Sequence, residues 1–275
     1  MKIGVYGVCT DQTLRPDEVA RLVEDAGFDS LVFGEHSHIP VSRESPYPGG
    51  ELPEDYKRTY DLFINLTAAA LATSTLRVSS GIMQLAQRDP ITTAKEAASL
   101  DVLSGGRVEL IVGHGWNIEE MRNHGVDPDT RYDLVRERML AMKAIWRNDV
   151  ASFSGRHVSF DGMWSWPKPV QPGGVPLYYG GNSPGSEERA LEYGDGWAPI
   201  ALPDIPDRVR AFTTENPGVP VVATGVASDP AAIEQFAEAG AYSAILGLGA
   251  VRSADEAKGK LEELRRCVET AVSAG

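Results

Sequence analysis

Cysteine is nearly absent from these 275 residues: there are two, Cys9 and Cys267, at opposite ends of the chain. Small domains held together by disulfides use many more, so the pair argues for a reducing, cytoplasmic setting. Long apolar runs are missing too, and none approaches the roughly 20 residues of a membrane-spanning helix. The N-terminus, MKIGVYGV, lacks the apolar core and small-residue cleavage site of a secretion signal. Basic residues are outnumbered, 26 Lys and Arg against 39 Asp and Glu, leaving a net charge of −13. With no Lys/Arg-rich run to override it, that field repels nucleic acid and anionic lipid. Any anionic cofactor must then be held locally, by backbone N–H groups and helix N-termini. Histidine is scarce as well: His36, His38, His114, His124 and His157 are the full set.

Against these absences stands a steady alternation of short apolar strands and longer helical stretches. Met1–Val8 reads as a strand and Pro16–Ala26 as a helix, with Pro and two acids in its first turn and Gly27 just past its end. A second strand starts at Phe28, and a Pro- and Gly-rich loop runs from Glu35 to about Lys57. Helices follow at Tyr60–Ala72 and Thr92–Leu103, strands start at Leu76 and Arg107, and Arg131–Arg147 is a long amphipathic helix. ASFSGRHVSFDG breaks the rhythm and reads as a β-hairpin turning at Ser154-Gly155, an insertion around residues 150–170. The alternation then resumes, with strands from Val175, at DGWAPI, from Val219 and from Ser243. Helices over Glu187–Tyr193, Asp204–Thr214, Asp229–Ala239 and Ala254–Ala271 separate and follow them.

Strands that are apolar throughout, each followed by a helix, require a parallel sheet covered on both faces. About eight such units at this length fit a closed (β/α)8 TIM barrel with a hairpin insertion better than an open doubly wound sheet. Composition does not break along the chain, so 1–275 is expected to be one domain, large enough to need no metal or disulfide. In a barrel, function sits in the loops at the C-terminal strand ends. That singles out Cys9, Glu35-His36, Met83-Gln84, His114 to Asn117, Gly180 to Ser183, Ile200 and Thr224-Gly225.

Three short motifs in those loops compete. Gly181-Asn-Ser-Pro-Gly185 matches the G-x-S-x-G nucleophile elbow. However, Pro184 has no N–H to give to an oxyanion hole, and every histidine precedes Ser183, so the order Ser…Asp…His is impossible. His36-Ser-His38 resembles the paired ligands of metal-dependent hydrolase barrels, yet no histidine follows His157 to complete the set. No metal site is therefore assigned. Gly180-Gly181-Asn182-Ser183 before a helix can hold a phosphate on its backbone, while Ser183 can equally be a plain N-cap.

Several segments taken together carry a resemblance. They are VFGEHSHIP after the second strand, GIMQLAQRDP after the third and GGRVELIVGHGWNIEEM across the fourth, then HGVDPDTRYDLVRERMLAMKAIW, MWSWPKPVQ, and GG…ALEYGDGW near the sixth. In this order they resemble the luciferase-like monooxygenase superfamily, and within it the actinobacterial F420-dependent oxidoreductases. The resemblance implies a homodimeric (β/α)8 barrel with an insertion, holding the deazaflavin coenzyme F420, or alternatively FMN, in the barrel mouth. It implies catalytic roles for His36 and Glu35, although family members often carry Asp where this chain has Glu35. It implies a bulge backing the ring near Met83 and Gln84, often with a non-prolyl cis peptide, with Met83 contributing its backbone. Gly115, Trp116 and Asn117 match the turn after strand four, and Gly180, Gly181, Asn182 and Ser183 match the phosphate-side loop.

The activity so implied is hydride transfer between carbon five of the deazaflavin and a small organic substrate that the sequence does not identify. An FMN-dependent monooxygenase on the same fold is the first rival. A metal-dependent hydrolase using His36 and His38, and a redox-silent binding barrel, are the others. The roles of His114, Trp164 and Trp166 stay open, and Trp197 either packs on the cofactor or fills the core.

Overall fold

Two helices of this chain begin with the same dipeptide. Asp89 accepts a hydrogen bond from Thr92 N at 2.8 Å ahead of α3 (Pro90–Ser104), and Asp229 accepts one from Ala232 N at 3.1 Å ahead of α8 (Pro230–Glu238). Each aspartate satisfies an orphan N–H of the first turn, and each proline sits where its missing N–H costs nothing. Between such starts and left-handed glycine stops, the computed structural model describes residues 1–274.

The barrel strands are β1 (Lys2–Val8), β2 (Ser30–Phe33), β3 (Arg77–Gln84), β4 (Val108–Gly113), β7 (Leu177–Gly180), β8 (Gly196–Ala198), β9 (Val222–Val226) and β10 (Ser243–Ala250). Between them run α1 (Pro16–Asp25), α2 (Leu62–Ala72), α3, α4 (Ile118–Asn123), α5 (Arg131–Arg147), α6 (Ser186–Glu192), α7 (Ile205–Glu215) and α8, and α9 (Ala254–Ala274) follows the last strand. All sheet neighbours are parallel, in the order β8-β7-β4-β3-β2-β1-β10-β9. Bridges Trp197↔Val221 and Ile200↔Thr224 bring β8 against β9, so the sheet comes round on itself as a nearly closed (β/α)8 barrel.

Two apolar clusters fill the fold. Tyr6, Val32, Ile82, Ile111, Tyr178, Ala198, Val222 and Ile245, one from each barrel strand, pack together with Tyr242 and mark the lumen. The much larger cluster lies between strands and helices and includes Leu31, Phe33, Leu66, Leu110, Met139 and Trp197. β2, β4 and β7 are buried at every position, because the helices cover one face and the lumen takes the other.

The insertion is the expected hairpin, β5 (Ala151–Ser154) and β6 (Ser159–Met163), paired antiparallel. Its turn is longer than the sequence suggested. Ser154 pairs with Ser159, and residues 155–158 form the loop, closed by Gly155 N to Val158 O at 2.8 Å. The buried Glu137 carboxylate of α5 decides this by accepting N–H bonds from Arg156, His157 and Val158 at 2.7–2.8 Å. Beyond the hairpin, Trp164 and Trp166 are 80% and 54% exposed, so neither is buried against the barrel body.

Candidate active site

His36 stands just past the end of β2, with its side chain almost entirely buried. Its Nδ1 is 2.8 Å from the Glu120 carboxylate, and its Nε2 is 3.3 Å from the Trp116 indole nitrogen. An indole N–H only donates, so Nε2 is the acceptor and the ring proton belongs on Nδ1, facing Glu120. Glu120 is fully buried, and its other oxygen accepts from Ser37 N at 3.1 Å. Three aromatic rings close round this point. Tyr56 and Trp116 each lie 5.6 Å from the His36 ring, and Tyr47 lies 5.1 Å from Tyr56 and 5.5 Å from Trp116. The Tyr47 and Tyr56 hydroxyls are 2.8 Å apart, and burial pushes both phenols well above the tyrosine range, so they stay neutral.

Glu35 faces elsewhere. One of its oxygens bonds the Arg88 guanidinium at 2.5–2.6 Å, and the other accepts from Gln84 N at 2.6 Å. The Gln84 side chain lies between these groups: its amide nitrogen reaches the Glu35 carbonyl at 2.5 Å and lies 3.0 Å from His36 Nδ1. Glu35, Gln84 and His36 are thus one connected cluster at the ends of β2 and β3.

The bulge in β3 falls between Ser80 and Met83, and the non-prolyl cis peptide is Gly81-Ile82, two residues upstream of the expected Met83-Gln84. This places Ile82, not Met83, in the lumen, while the Met83 side chain is fully buried in the outer core. Gly113 and Gly180 make room for Ile82: a Cβ at either would meet its side chain at 2.8 and 3.0 Å. Ile82 therefore lies in the lumen between two stretches of bare backbone. Gly115, at φ +84°, lets the chain turn beneath Trp116, and a Cβ there would meet Gln84 Oε1 at 2.7 Å.

The Asn117 side chain turns away from the mouth and caps α4 through Glu120 N at 3.0 Å. Asn182 joins two loops, exchanging hydrogen bonds of 2.8 Å with the backbone of Ile200. Gly181, at φ +131°, accepts from the fully buried Trp197 indole at 2.9 Å, and the Ser183 hydroxyl is 3.1 Å from that of Ser186. His38 and His124 gather round Ser37, with Nδ1 and Nε2 respectively 2.9 and 2.7 Å from its hydroxyl. Among the described residues, no group of three His, Cys, Asp or Glu side chains converges as a metal would need.

Beside the Gly180–Ser183 loop lies a feature that sequence reasoning missed. The guanidiniums of Arg131 and Arg189 both stack on the Tyr132 ring, 4.8 and 4.5 Å from its centre. Each donates to a backbone carbonyl, Pro128 and Pro184, and no carboxylate among the described residues lies within ion-pair distance of either. The His114 ring is 4.6 Å from Tyr132, and its pKa is lowered by burial and further by the two arginines. The Tyr179 hydroxyl is buried against Tyr193 and Arg189 with no partner in hydrogen-bond geometry among the described residues. Two cations thus stand side by side without a carboxylate partner among the described residues, in a chain of net charge −13.

Over the mouth, the loop from 35 to 61 is tied down by Glu119 of α4. Its carboxylate accepts from the Ser45 hydroxyl, from Ser45 N at 2.9 Å and from the Ser42 hydroxyl at 3.3 Å, and these bonds, led by the Ser45 hydroxyl, hold its pKa near 2. A cavity of about 420 Å³ opens beside His36, lined among others by Ser37, Thr59, Gln87, Arg88, Thr92 and His124.

A nearly closed barrel of eight parallel strands, with a buried histidine just past one strand end and two arginines of the following helices stacked on one ring, is a TIM-barrel protein. Residues 15–263 match the model of the luciferase-like monooxygenase family, and the chain belongs to that family of oxidoreductases. It is 37% identical over 280 residues to an uncharacterized protein of Mycobacterium tuberculosis, covering 96% of this chain and 97% of that one. An FMNH2-dependent dimethylsulfone monooxygenase of Pseudomonas putida is 32% identical over 131 residues, 46% of this chain and 36% of that protein. Among solved structures, an F420-dependent secondary alcohol dehydrogenase in complex with an F420-acetone adduct superposes with a TM-score of 0.76 at 20% identity, covering 98% of each chain.

Proposed function

We propose that this chain binds coenzyme F420 in the barrel mouth and uses His36 to exchange a proton with a small organic substrate during hydride transfer. The observation that carries this reading is His36 itself, buried and oriented from both sides. The residues suit an anionic ring cofactor. Ile82 between Gly113 and Gly180 accepts a planar ring, and Arg131 and Arg189 suit its anionic side chain. When bound, a deazaflavin supplies a hydride donor or acceptor at its carbon five.

The protein's own part is orientation, exclusion of water and proton exchange. His36 Nε2 has a single long bond from Trp116, which a substrate hydroxyl can replace as the donor. Glu35 acts as a positioning group, tying the β3 bulge to Arg88. The cavity beside His36 falls in the size range of small-molecule sites, roughly 300–1,000 Å³.

Preference for F420 is supported by the motif resemblance to the actinobacterial group and by the full-length match to the F420-bound alcohol dehydrogenase fold. The 131-residue match to an FMNH2-dependent enzyme favours a second reading, an FMN-dependent monooxygenase on the same barrel. Titration with oxidised F420 and, separately, FMN tests both. Micromolar F420 binding with FMN much weaker is expected, and the reverse preference selects the monooxygenase. His36→Ala should keep cofactor affinity while turnover falls about 10²- to 10⁴-fold, the usual contribution of a positioned acid or base. Full turnover would remove His36 from the chemistry.

A further inference from the structure

The buried carboxylate of Glu120 has no part in the reading above beyond its contact with His36, and its surroundings say more. It is fully buried, and no lysine or arginine among the described residues reaches it. Its N–H donor partners are His36 Nδ1 at 2.8 Å and the Ser37 backbone at 3.1 Å, with the Ser37 hydroxyl at 3.5 Å. An uncompensated buried carboxylate is costly and persists where something else requires it. We propose that Glu120 is a positioning residue that fixes His36 in the Nδ1-protonated tautomer, so that Nε2 keeps its lone pair toward the mouth. This rests on His36 being the proton-exchanging group.

Donors and acceptors round the ring decide the tautomer: at Nδ1 the Glu120 carboxylate at 2.8 Å outweighs the Gln84 amide nitrogen at 3.0 Å, which already donates to the Glu35 carbonyl. Ser37 N–H is a permanent donor, so it requires an oxygen at Glu120 Oε1. Trp116 Nε1–H is a permanent donor, so it requires a lone pair at His36 Nε2. Only a carboxylate satisfies both, because it offers oxygen at each end. The Glu120→Gln amide would turn its oxygen to Ser37 and its NH2 to His36. Nδ1 would then have to accept, the proton would move to Nε2, and that N–H would face the Trp116 N–H. With the carboxylate in place, positive charge developing on the ring as Nε2 takes a proton is stabilised at the far side. The titratable groups round the pair are Tyr56 against the His36 ring, and His38 and His124 across Ser37.

The test is nitrogen NMR on histidine-labelled protein, which reports the tautomer of His36 without cofactor or turnover. Wild type is expected to show His36 protonated at Nδ1, and Glu120→Gln protonated at Nε2. In Glu120→Gln, kcat should fall at least tenfold with cofactor Kd unchanged, and Glu120→Asp should restore the wild-type tautomer. A wild-type His36 protonated at Nε2 would overturn the proposal, even if the variants fail to fold. So would a Glu120→Gln protein that keeps the Nδ1 proton. Should the tautomers behave as stated while His36→Ala retains full turnover, the failure lies with the assignment of His36 and not with Glu120.

Discussion

Replacing Arg189 with alanine removes one of two guanidiniums from the Tyr132 stack and leaves the other in place. The fold should barely register the change. One exposed cation–π contact is worth about 0.5–1 kcal/mol, and losing a like-charged neighbour gives part of it back. For a chain of this length that amounts to a melting shift of about 3 °C or less. Cofactor affinity should change far more. A hydrogen bond to a charged group contributes about 1.5–3 kcal/mol, so the Kd for F420 or FMN should rise about 10- to 150-fold. The assay is calorimetric titration of both proteins with F420 and FMN, and with riboflavin and the corresponding deazariboflavin. Riboflavin and deazariboflavin keep the ribityl chain and lack the phosphate, so the phosphorylated forms alone should lose affinity, and their binding to wild type should weaken with salt more steeply than to the variant. His114, lowered by burial and then by both arginines, should titrate at higher pH once Arg189 is gone. Equal losses for ligands with and without phosphate would refute the anion site.

Two further outcomes are expected. Glu119 has its pKa lowered from 4.5 to about 2 by its bonds to Ser45, so the loop anchor is complete above pH 4.5 and weakens as pH falls toward 2. The protection factor of the Ser45 amide, its exchange relative to the intrinsic rate at each pH, should fall over that range and already at pH 6 in Glu119→Gln; unchanged protection would show that the loop is held by other contacts. Homodimerisation is expected through the aliphatic side chains Ile64 and Leu71 of α2, both more than 60% exposed, with Val102 and Leu103 of α3 beside them. Light scattering should give a dimer for wild type and a monomer for Ile64→Glu/Leu71→Glu, and a dimeric variant would move the interface elsewhere.

The barrel was legible because its signals are local. A proline in a helix's first turn, glycine stops and strands apolar on both faces each follow from the physics of a few neighbouring residues, and their alternation leaves little choice of architecture. His36, Gln84 and Trp116 were reachable for the same reason: they lie at strand ends, where a barrel puts its working groups.

The partnerships between distant segments were not legible. Asn117 and Glu120 have the spacing of a helix cap, and Asn117 does serve that purpose. That Glu120 reaches back across 84 residues to His36 depends on β2 and β4 flanking β3 in the sheet. Arg131 and Arg189 read as ordinary charges at the ends of two helices until folding brings both onto Tyr132. Likewise, where the bulge falls in β3 decides that the Ile82 side chain faces the lumen and that of Met83 the outer core, because successive residues of a strand face opposite sides. Sequence alone determined most of the elements, though not the short α4, and the strand ends at which to look for a site, since hydrophobic period and capping act within a few residues. Tertiary structure decided which side chains meet, since charge pairing and ring stacking depend on distances that the chain order does not contain.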